Sequence, residues 1–323
     1  MKIVLKRPLT VEQIASLAIK LNIDKSELTD YGKVLAVPKK INSELLTNVA
    51  AKLPEFVCIS SSLYPLVHNA KTKIDILKDK KPIIIAGPCA IESNSQMLKI
   101  AEIVSKNGGH ILRGGAFKPR TSPYSFQGLG EIGLEYLANA ANEFNLLSIT
   151  EAMSIEQISM VSDYADIIQI GARNMQNFNL LKAAGKCQKP VLLKRAPAAN
   201  YKEFLLAAEY IMAAGNEQVI LCERGIKSFE RMTRNTLDLS IIPILQSITK
   251  LPIIVDPSHA VGVRTAIPQM ALASIAAGAN GVMLEIHPEP EKSISDPEQA
   301  LSFAEFTKLA TGLKKISLAC TEE

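Results

Sequence analysis

From about residue 82 onward, short apolar segments alternate with segments whose apolar residues recur at helical spacing. Short apolar runs bounded by polar or turn residues are typical of buried strands. Eight such runs occur in about 240 residues, and they are PIIIAG, HILRGG, LLSIT, DIIQIG, PVLLKR, QVILCE, PIIVD and NGVMLEI. A doubly wound open sheet normally has only about six strands and leaves two unpaired edges. The pattern therefore favours an α/β fold, a closed (β/α)₈ TIM barrel.

The last strand–helix unit contains a helix-start signal. The segment DPEQALSFAEFTKLATGL follows the eighth strand, and in it Asp296 precedes Pro297. Asp is a preferred N-cap residue, and Pro is favoured at the first helical position. We therefore expect the last helix to begin at Asp296.

The first seventy residues have a different pattern. KIVLK, a short segment near 26–30, KVLAVP and FVCIS predict strands, while TVEQIASLAIKLN and NSELLTNVAAKL predict helices. Thr10 is the expected N-cap of the first helix, and Asn42 or Ser43 that of the second. The order βαββαβ is that of a ferredoxin-like domain. We predict two domains, 1–70 and the catalytic barrel 71–323, with LYPLVHNAKTK as the linker.

Composition argues against two classes of partner. The net charge is only +4, and no dense Lys/Arg segment with interleaved aromatic residues is present, which disfavours nucleic-acid binding. No apolar stretch approaches the roughly 20 residues that cross a bilayer, and the start MKIVLKRPLTVEQ is unlike a signal peptide. The five cysteines are scattered without framework spacing. We therefore expect a cytoplasmic protein with reduced thiols.

Ionisable or metal-binding side chains follow every predicted barrel strand. In strand order they are Cys89 and Glu92, Arg113, Glu151, Arg173, Lys194 and Arg195, Glu223 and Arg224, Asp256 and His259, and Glu285 and His287. Active sites of these barrels lie at the carboxyl ends of the strands. Eight strands that all deliver such a group to one rim indicate a single active site there.

One subset of these residues is cationic, and it includes the loop that follows the second strand. Its members are Arg113, Lys118, Arg120, Arg173, Lys194 and Arg224. Six cations in one barrel mouth would repel one another unless anions bind between them. Guanidinium groups match the oxygens of phosphate and carboxylate, and lysine adds a point charge. The set therefore predicts a ligand with about two phosphates and a carboxylate.

A second subset has the chemistry of a metal site. Cys89, His259, Glu285 and Asp296 offer a thiolate, an imidazole and two carboxylates. They follow strands one, seven and eight, and strands one and eight become neighbours when a barrel closes. Magnesium takes oxygen ligands, whereas this mixture suits manganese, iron, cobalt or zinc. Each residue also has an ordinary structural interpretation, such as a buried thiol or a helix cap.

Seven segments together carry a family resemblance. They are AGPCAIES, LRGGAFKPRTSPYSFQG, IQIGARNMQN, VLLKR, LCERG, VDPSHAVGVR and LEIHPEPEKSISDPEQAL. From about residue 70 to 315 the chain resembles the 3-deoxy-D-arabino-heptulosonate 7-phosphate (DAHP) synthases, in particular their short microbial branch with an N-terminal domain. The resemblance implies condensation of phosphoenolpyruvate with erythrose 4-phosphate and water, the first step of the shikimate pathway.

The resemblance also implies roles for individual residues. Phosphoenolpyruvate would be bound by Arg113, Lys118, Arg173, Lys194 and Arg224, and erythrose 4-phosphate by Lys118, Arg120, Thr121 and Ser122. Cys89, His259, Glu285 and Asp296 would hold one divalent transition metal ion, which would polarise the aldehyde. Lys118 would protonate the new alkoxide, and Glu151 would help to deprotonate water. No organic cofactor is implied.

Two rivals remain for the reaction. The sister synthase that makes 3-deoxy-D-manno-octulosonate 8-phosphate from arabinose 5-phosphate shares the barrel, but it typically has KANRTS where this chain has KPRTS. Here Pro119 follows Lys118 directly, so Arg120 lies one residue nearer, as a shorter sugar would require. The other rival is a barrel that only binds phosphorylated metabolites, against which the complete set of ligands and cations argues.

The N-terminal domain has two interpretations as well. Resemblance implies feedback inhibition by tyrosine or phenylalanine, through closure of this domain over the barrel mouth. The alternative is an oligomer contact, because such a sheet has a face and edges that can pair with another copy. The family makes a homotetramer the expected assembly. The roles of His287, Asp256 and Cys222 stay open: the first two could support the metal ligands, and the third could be a buried strand residue.

Overall fold

The computed structural model of the protein describes residues 1–53, 55–71, 74, 82–120 and 122–320. Within these residues, no helix has both the length and the apolar character needed to cross a membrane. The described chain comprises a small antiparallel sheet domain followed by a closed parallel barrel.

The N-terminal domain is built from four strands and two main helices. They are β1 (Lys2–Leu5), α1 (Val11–Leu21), β2 (Thr29–Asp30), β3 (Val34–Ala36), α2 (Ser43–Ala50) and β4 (Phe56–Ser60). The sheet order is β2-β3-β1-β4, and all neighbouring strands are antiparallel. This arrangement confirms the ferredoxin-like domain. Thr10 caps α1 in a reciprocal capping box with Gln13, and Asn42 caps α2.

The two faces of this sheet are covered by different parts of the protein. Ile3, Leu5 and Leu35 pack on one face with the domain's own helices. Val4 and Val34, which have the opposite parity along their strands, belong to the hydrophobic core of the barrel. The face that this type of domain leaves open therefore packs against the barrel of the same chain.

The predicted linker contains a short helix, α3 (Pro65–His68). Its Leu66 and Val67 are buried, and their backbone N–H groups each donate to the Glu209 carboxylate at 2.9 Å. Pro65 at the first position favours the helix, and burial of the two apolar side chains holds it against the barrel. The predicted linker therefore contains a packed helical turn at 65–68. Positions 72 and 73 of the predicted linker lie outside the described residues.

Eight parallel strands close into the predicted barrel, which is confirmed. They are β5 (Ile83–Gly87), β6 (Ile111–Arg113), β7 (Leu147–Glu151), β8 (Ile167–Ile170), β9 (Val191–Lys194), β10 (Val219–Glu223), β11 (Ile253–Val255) and β12 (Gly281–Glu285). The helices that follow are α4 (Asn94–Lys106), α5 (Glu131–Glu143), α6 (Ile155–Tyr164), α7 (Phe178–Lys186), α8 (Tyr201–Ala213), α9 (Ile241–Gln246), α10 (Pro257–Val261), α11 (Ile267–Ala276) and α12 (Phe303–Ala319).

The barrel interior is a layered apolar core. Its strand residues are Ile83, Ile85, Ile111, Ile149, Ile167, Leu192, Ile220, Cys222, Ile254 and Met283. Side chains two positions apart on a strand face the same side. The next inward layer toward the carboxyl ends is therefore Gly87, Arg113, Glu151, Gln169, Lys194, Arg224, Asp256 and Glu285. The alternation of side chains along the strands therefore places an apolar layer, the apolar plug of the barrel, directly below a layer of mostly charged residues. Cys222 belongs to the apolar layer.

The last helix begins later than predicted, which corrects the expectation for Asp296. Helix α12 starts at Phe303, and Ser302 caps it in a reciprocal box with Glu305. Leu301 forms a bridge with Ile286, donating its N–H to Glu285 O at 2.8 Å. Because this bridge holds the segment before Ser302 in extended backbone, a helix cannot run through it. Asp296 instead has a left-handed φ of 54°.

Candidate active site

Four potential metal ligands converge at the carboxyl end of the barrel. One ligand atom each from Cys89, His259, Glu285 and Asp296 lies within 4.8 Å of the other three. Cys89 Sγ is 3.1 Å from Asp296 Oδ2, and His259 Nε2 is 3.2 Å from Glu285 Oε1. One sulfur, one nitrogen and two oxygens at this spacing fit a borderline divalent transition ion. The described residues thus include a compact four-ligand cluster, made from four separate parts of the chain.

His259 is held by Asp256, which stands at the N-cap of α10. The Asp256 carboxylate accepts from the backbone N–H of His259 at 3.0 Å and lies 2.8 Å from its Nδ1. Because a carboxylate can only accept, Asp256 favours a proton on Nδ1, and a metal ion bound to Nε2 would replace the contact of that atom with Glu285. Burial lowers the pKa of His259, although Asp256 opposes the shift. A neutral imidazole with a free Nε2 is the form that binds metal.

The pKa values of the two most buried members of the cluster are shifted in opposite directions. Burial disfavours ionisation of Glu285, but His259 and Arg113 outweigh it and hold its pKa at about 2. Burial, followed by the charge of Glu285, raises the pKa of the Cys89 thiol to about 12. Without a metal, Glu285 is therefore a carboxylate and Cys89 a thiol. A metal ion that binds here must displace the thiol proton, so its affinity rises with pH.

A wall of cations surrounds one cavity beside this cluster. The lining includes all six cations of the sequence prediction, together with Glu151, Gln169 and one further cation, Arg234. Arg113 donates to Glu285 at 2.6 Å, and Lys194 donates to Asp256 at 2.5 Å. Burial lowers the pKa of Arg224, as expected for a cation with too little counter-charge. An anion bound in the cavity would supply that charge.

The loop after β6 carries Lys118 and Arg120 to the cavity. Lys118 Nζ donates to Cys89 O at 2.9 Å and lies 3.0 Å from Cys89 Sγ, so it touches the four-ligand cluster. Arg120 donates to Ser295 Oγ at 2.6 Å and to Phe126 O at 3.2 Å. Arg173 reaches the same loop, donating to Pro119 O at 2.8 Å. These contacts join the loops after four strands, β5, β6, β8 and β12, into one wall.

Two of the predicted sugar-phosphate ligands are not seen in this wall. Ser122 is exposed, and its Oγ accepts from the backbone N–H of Tyr124 at 3.3 Å. The structure does not bring its side chain to the cavity. Thr121 lies outside the described residues.

Glu151 is the acidic member of the cavity lining away from the cluster. Its Oε2 accepts from Gln169 Nε2 at 3.2 Å. A Cβ atom on Gly171 would lie only 2.0 Å from Glu151 Oε1, so a side chain at this position would displace the carboxylate. Gly171 therefore makes room for Glu151 in the cavity.

Arg195 and Glu223 also end barrel strands, but they do not line the cavity. Arg195 donates to Glu223 and to Asp238, both at 2.9 Å, and Glu223 accepts from the Gly225 N–H at 2.6 Å. Each is next in sequence to an inward-facing residue, so it points outward, toward the helices. Their ion pairs therefore stabilise the fold outside the cavity and do not form part of its lining.

We expect Arg195→Met to lower the free energy of unfolding by about 3 kcal/mol, because it leaves the buried Glu223 carboxylate without its partner. Urea denaturation followed by circular dichroism would measure the change. As a matched control, Arg173→Met removes an exposed cation and should change stability by less than about 0.5 kcal/mol. Equal stability of the two variants would contradict the structural role of Arg195.

Sequence reasoning missed three residues of this site. Arg234 lies in the long segment between β10 and α9, Gln299 precedes α12, and Gln169 lies within β8. Gln169 could have been found, because it lies two positions after the inward-facing Ile167 on the same strand. Arg234 and Gln299 lie in loops, where no periodicity indicates a side chain's direction.

The chain is similar to proteins of one family along most of its length. Residues 64–321 match the DAHP synthetase I family. A phospho-2-dehydro-3-deoxyheptonate aldolase of Thermotoga maritima is 50% identical over 283 residues, which cover 83% of each chain. A crystal structure of phospho-2-dehydro-3-deoxyheptonate aldolase (DAHP synthase) from that organism is 42% identical, covers 99% of this chain and 97% of its own, and has a TM-score of 0.78.

Relatives with another name are less similar. A 2-dehydro-3-deoxyphosphooctonate aldolase of Koribacter versatilis is 32% identical over 277 residues, covering 79% of this chain and 98% of that protein. The family match spans every barrel strand and all residues of the four-ligand cluster and of the cation wall. The resemblance inferred from the seven sequence segments is therefore confirmed, and the chain belongs to the DAHP synthetase I family.

Proposed function

We propose that this protein condenses phosphoenolpyruvate with D-erythrose 4-phosphate and water, giving 3-deoxy-D-arabino-heptulosonate 7-phosphate and inorganic phosphate. The observation that carries the proposal is one cavity in which a four-ligand cluster adjoins a wall of cations. The two substrates bring two phosphates and one carboxylate, which are the groups that such a wall binds. The 50% identity to a protein named for the heptonate product supports the choice.

Phosphoenolpyruvate would bind deep in the cavity. Arg113, Lys194 and Arg224 belong to the inward layer on three strands, and Arg173 and Lys118 close the site from the loops. Fixed guanidinium forks would hold its phosphate and carboxylate in one orientation. Erythrose 4-phosphate would enter above it, with its phosphate at Arg120 and Thr121, and with Ser122 as a weaker addition. This order places the aldehyde next to the four-ligand cluster.

Cys89, His259, Glu285 and Asp296 would hold one divalent transition ion, to which their donor set fits. When bound, such an ion supplies Lewis-acid polarisation of an oxygen. Lys118 is the residue that we assign to proton donation, because its Nζ lies at the edge of this cluster. The alkoxide formed from the aldehyde oxygen would take that proton.

The proposed reaction needs no covalent bond between enzyme and substrate. C3 of phosphoenolpyruvate forms the new C–C bond with the aldehyde carbon, and water adds to C2. Glu151 would accept a proton from that water, since its carboxylate lines the same cavity. The C2–O bond to phosphate then breaks, and the proton of the C2 hydroxyl passes to the departing phosphate, which leaves the ketone. The protein's contribution is to hold two anions in contact and to exclude bulk water.

The choice between a four-carbon and a five-carbon sugar depends on the loop after β6. Pro119 directly follows Lys118, so Arg120 is held close to the cluster and donates to Ser295. A five-carbon sugar phosphate would place its phosphate farther from the aldehyde. The lower identity to the octonate-named relative, 32% against 50%, favours the shorter sugar.

Loss of phosphoenolpyruvate, followed by its ultraviolet absorbance in protein loaded with manganese, tests this proposal. Turnover with erythrose 4-phosphate should be at least about a hundredfold faster than with arabinose 5-phosphate. The reverse preference would make the protein an octulosonate synthase. No turnover with either sugar, in folded metal-loaded protein, would favour a barrel that only binds phosphorylated metabolites.

We propose further that residues 1–70 form a regulatory or oligomerisation domain in a homotetramer, and that tyrosine or phenylalanine inhibits the enzyme through it. In the described chain Lys33 of this domain pairs with Glu217 at 2.7 Å, and Glu217 precedes β10, at the barrel end opposite the cavity. Closure over the mouth would therefore require this ion pair to break. Inhibition assays with the two amino acids, on the full chain and on a Lys33→Ala variant, would test the coupling.

A further inference from the structure

We propose that Gln299 is a positioning residue that couples the four-ligand cluster to the cation wall, by holding Glu285 with one end of its amide and Arg234 with the other. Gln299 Nε2 donates to Glu285 Oε2 at 2.5 Å, and Arg234 donates to Gln299 Oε1 at 3.0 Å. The side chain is buried, with only 3% of the residue exposed. The consequence for substrate binding rests on the proposed function, whereas the consequence for metal binding does not.

This bridge needs a side chain that donates at one end and accepts at the other, as an amide does. The Glu285 carboxylate can only accept hydrogen bonds, and the Arg234 guanidinium can only donate them. Gln299 meets both needs in one orientation, because the flipped amide would place oxygen against oxygen and N–H against N–H. A carboxylate at position 299 would lose the bond to Glu285, and an apolar side chain would lose both bonds.

The bridge gives the two carboxylate oxygens of Glu285 different partners. Oε1 contacts Arg113 at 2.6 Å and His259 Nε2 at 3.2 Å, on the side of the cluster. Oε2 is held by Gln299, so the carboxylate cannot rotate between its two faces. Partners that orient a ligand in this way typically change metal affinity by about 10–100-fold when they are removed.

For Arg234, the bridge fixes a long side chain that is 40% exposed. Its backbone N–H donates to Val261 O at 2.9 Å, and this approach depends on Gly262, whose φ is +66° and whose added Cβ would lie 2.8 Å from Arg234 Cβ. The guanidinium lies 3.6 Å from Asp296 Oδ1. Arg120 donates to the adjacent Ser295 at 2.6 Å. Arg234 and Arg120 thus contact neighbouring residues, so we assign Arg234 to the sugar phosphate that Arg120 would bind rather than to phosphoenolpyruvate.

Gln299 can act as a rigid bridge because its own backbone is anchored. Its N–H donates to Asp296 O at 3.3 Å. Arg264 holds the two residues before it, donating from its side chain to Pro297 O at 2.8 Å and from its backbone to Glu298 O at 3.2 Å. Movement of the amide is thereby coupled to movement of both partners.

The test compares Gln299→Met, Gln299→Glu and Arg234→Met with the wild-type full chain. Cobalt(II) titration of metal-stripped protein, followed by its visible absorption, measures metal affinity without any substrate. We expect Gln299→Met and Gln299→Glu to weaken cobalt binding about 10–100-fold. Arg234→Met should weaken it less, because this variant keeps the bond from Gln299 to Glu285 and removes only the 3.6 Å contact with Asp296. Gln246→Met, which removes an exposed amide bonded to Gly278 O, is the matched control and should match the wild type.

Steady-state kinetics test the other contact of the bridge, between Gln299 and Arg234. Arg234→Met and Gln299→Met should each raise KM for erythrose 4-phosphate about tenfold or more and change KM for phosphoenolpyruvate less than about twofold. The double variant should be no worse than Arg234→Met in this KM, because the two side chains act as one unit. Gln299→Glu, which keeps an acceptor for Arg234, should retain the wild-type KM within about threefold.

The outcomes separate this inference from the proposed function. If Gln299→Met is folded by circular dichroism and binds cobalt like the wild type, the coupling is refuted. If it is unfolded, Gln299→Glu decides the same question. If the wild type uses no sugar phosphate but both Gln299 variants bind cobalt weakly, the proposed function fails and the bridge to Glu285 stands.

Discussion

Cys89→Ala should abolish stoichiometric metal binding and reduce activity by at least about a hundredfold. Cys89 supplies the only sulfur within the described four-ligand cluster, and a soft thiolate is what distinguishes this set from an oxygen site for magnesium. Loss of a partner that merely orients a ligand costs about 10–100-fold, so loss of the ligand itself should cost more. Metal analysis after gel filtration, together with the phosphoenolpyruvate assay, would measure both effects.

The control for this variant is Cys187→Ala, which removes a half-buried thiol at the end of α7, far from the cluster in the fold. Metal content and activity should then equal those of the wild type. The thiol proton adds a second readout, because burial keeps Cys89 protonated in the absence of metal. Metal binding should release about one proton in the wild type and none at this position in Cys89→Ala. Full metal occupancy in Cys89→Ala would show that the other three ligands suffice.

Lys118→Met should lower kcat by about 10²–10⁴-fold, the range typical of a lost general acid. The ammonium group lies 3.0 Å from Cys89 Sγ, where the reacting aldehyde would be bound. Metal content should be unchanged, because Lys118 is not a member of the four-ligand cluster. Single-turnover kinetics would show whether the lost step is chemistry rather than product release.

Lys118→Arg separates charge from proton transfer. It keeps a cation for the two phosphates, but a guanidinium does not release its proton near neutral pH. We expect KM for phosphoenolpyruvate to stay within about threefold of the wild type while kcat remains low. Wild-type kcat in this variant would assign Lys118 to electrostatic binding alone. Lys182→Met, on the outer surface near Tyr210, is the matched lysine control.

Local sequence patterns predicted much of the site. On β6, β9 and β10 the alternation of side chains places Arg113, Lys194 and Arg224 above the apolar plug of the barrel. The same alternation separates Arg195 and Glu223 from the cavity, although both end strands in the sequence. Applied strictly, strand parity would have excluded these two residues and included Gln169. The roles of the residues that line the cavity remain predictions until variants are measured.

Other parts of the site depend on contacts that no local pattern shows. Asp296 and Pro297 resemble a helix start, and Gln299 stands at the third helical position of the capping box they predict. The bridge between Leu301 and Ile286 overrides that signal and transfers the cap to Ser302. Released from capping, Asp296 turns toward Cys89, and Gln299 reaches Glu285.

The sequence alone determined the eight-stranded barrel, the ferredoxin-like domain and the inward charges on the strands. Those features follow from periodicity, caps and turn residues, which act over a few neighbouring residues. Only the tertiary structure decided where the loop residues point, because Arg234, Asp296 and Gln299 take their positions from Val261, Arg264 and Leu301, whose contacts form only when the barrel closes.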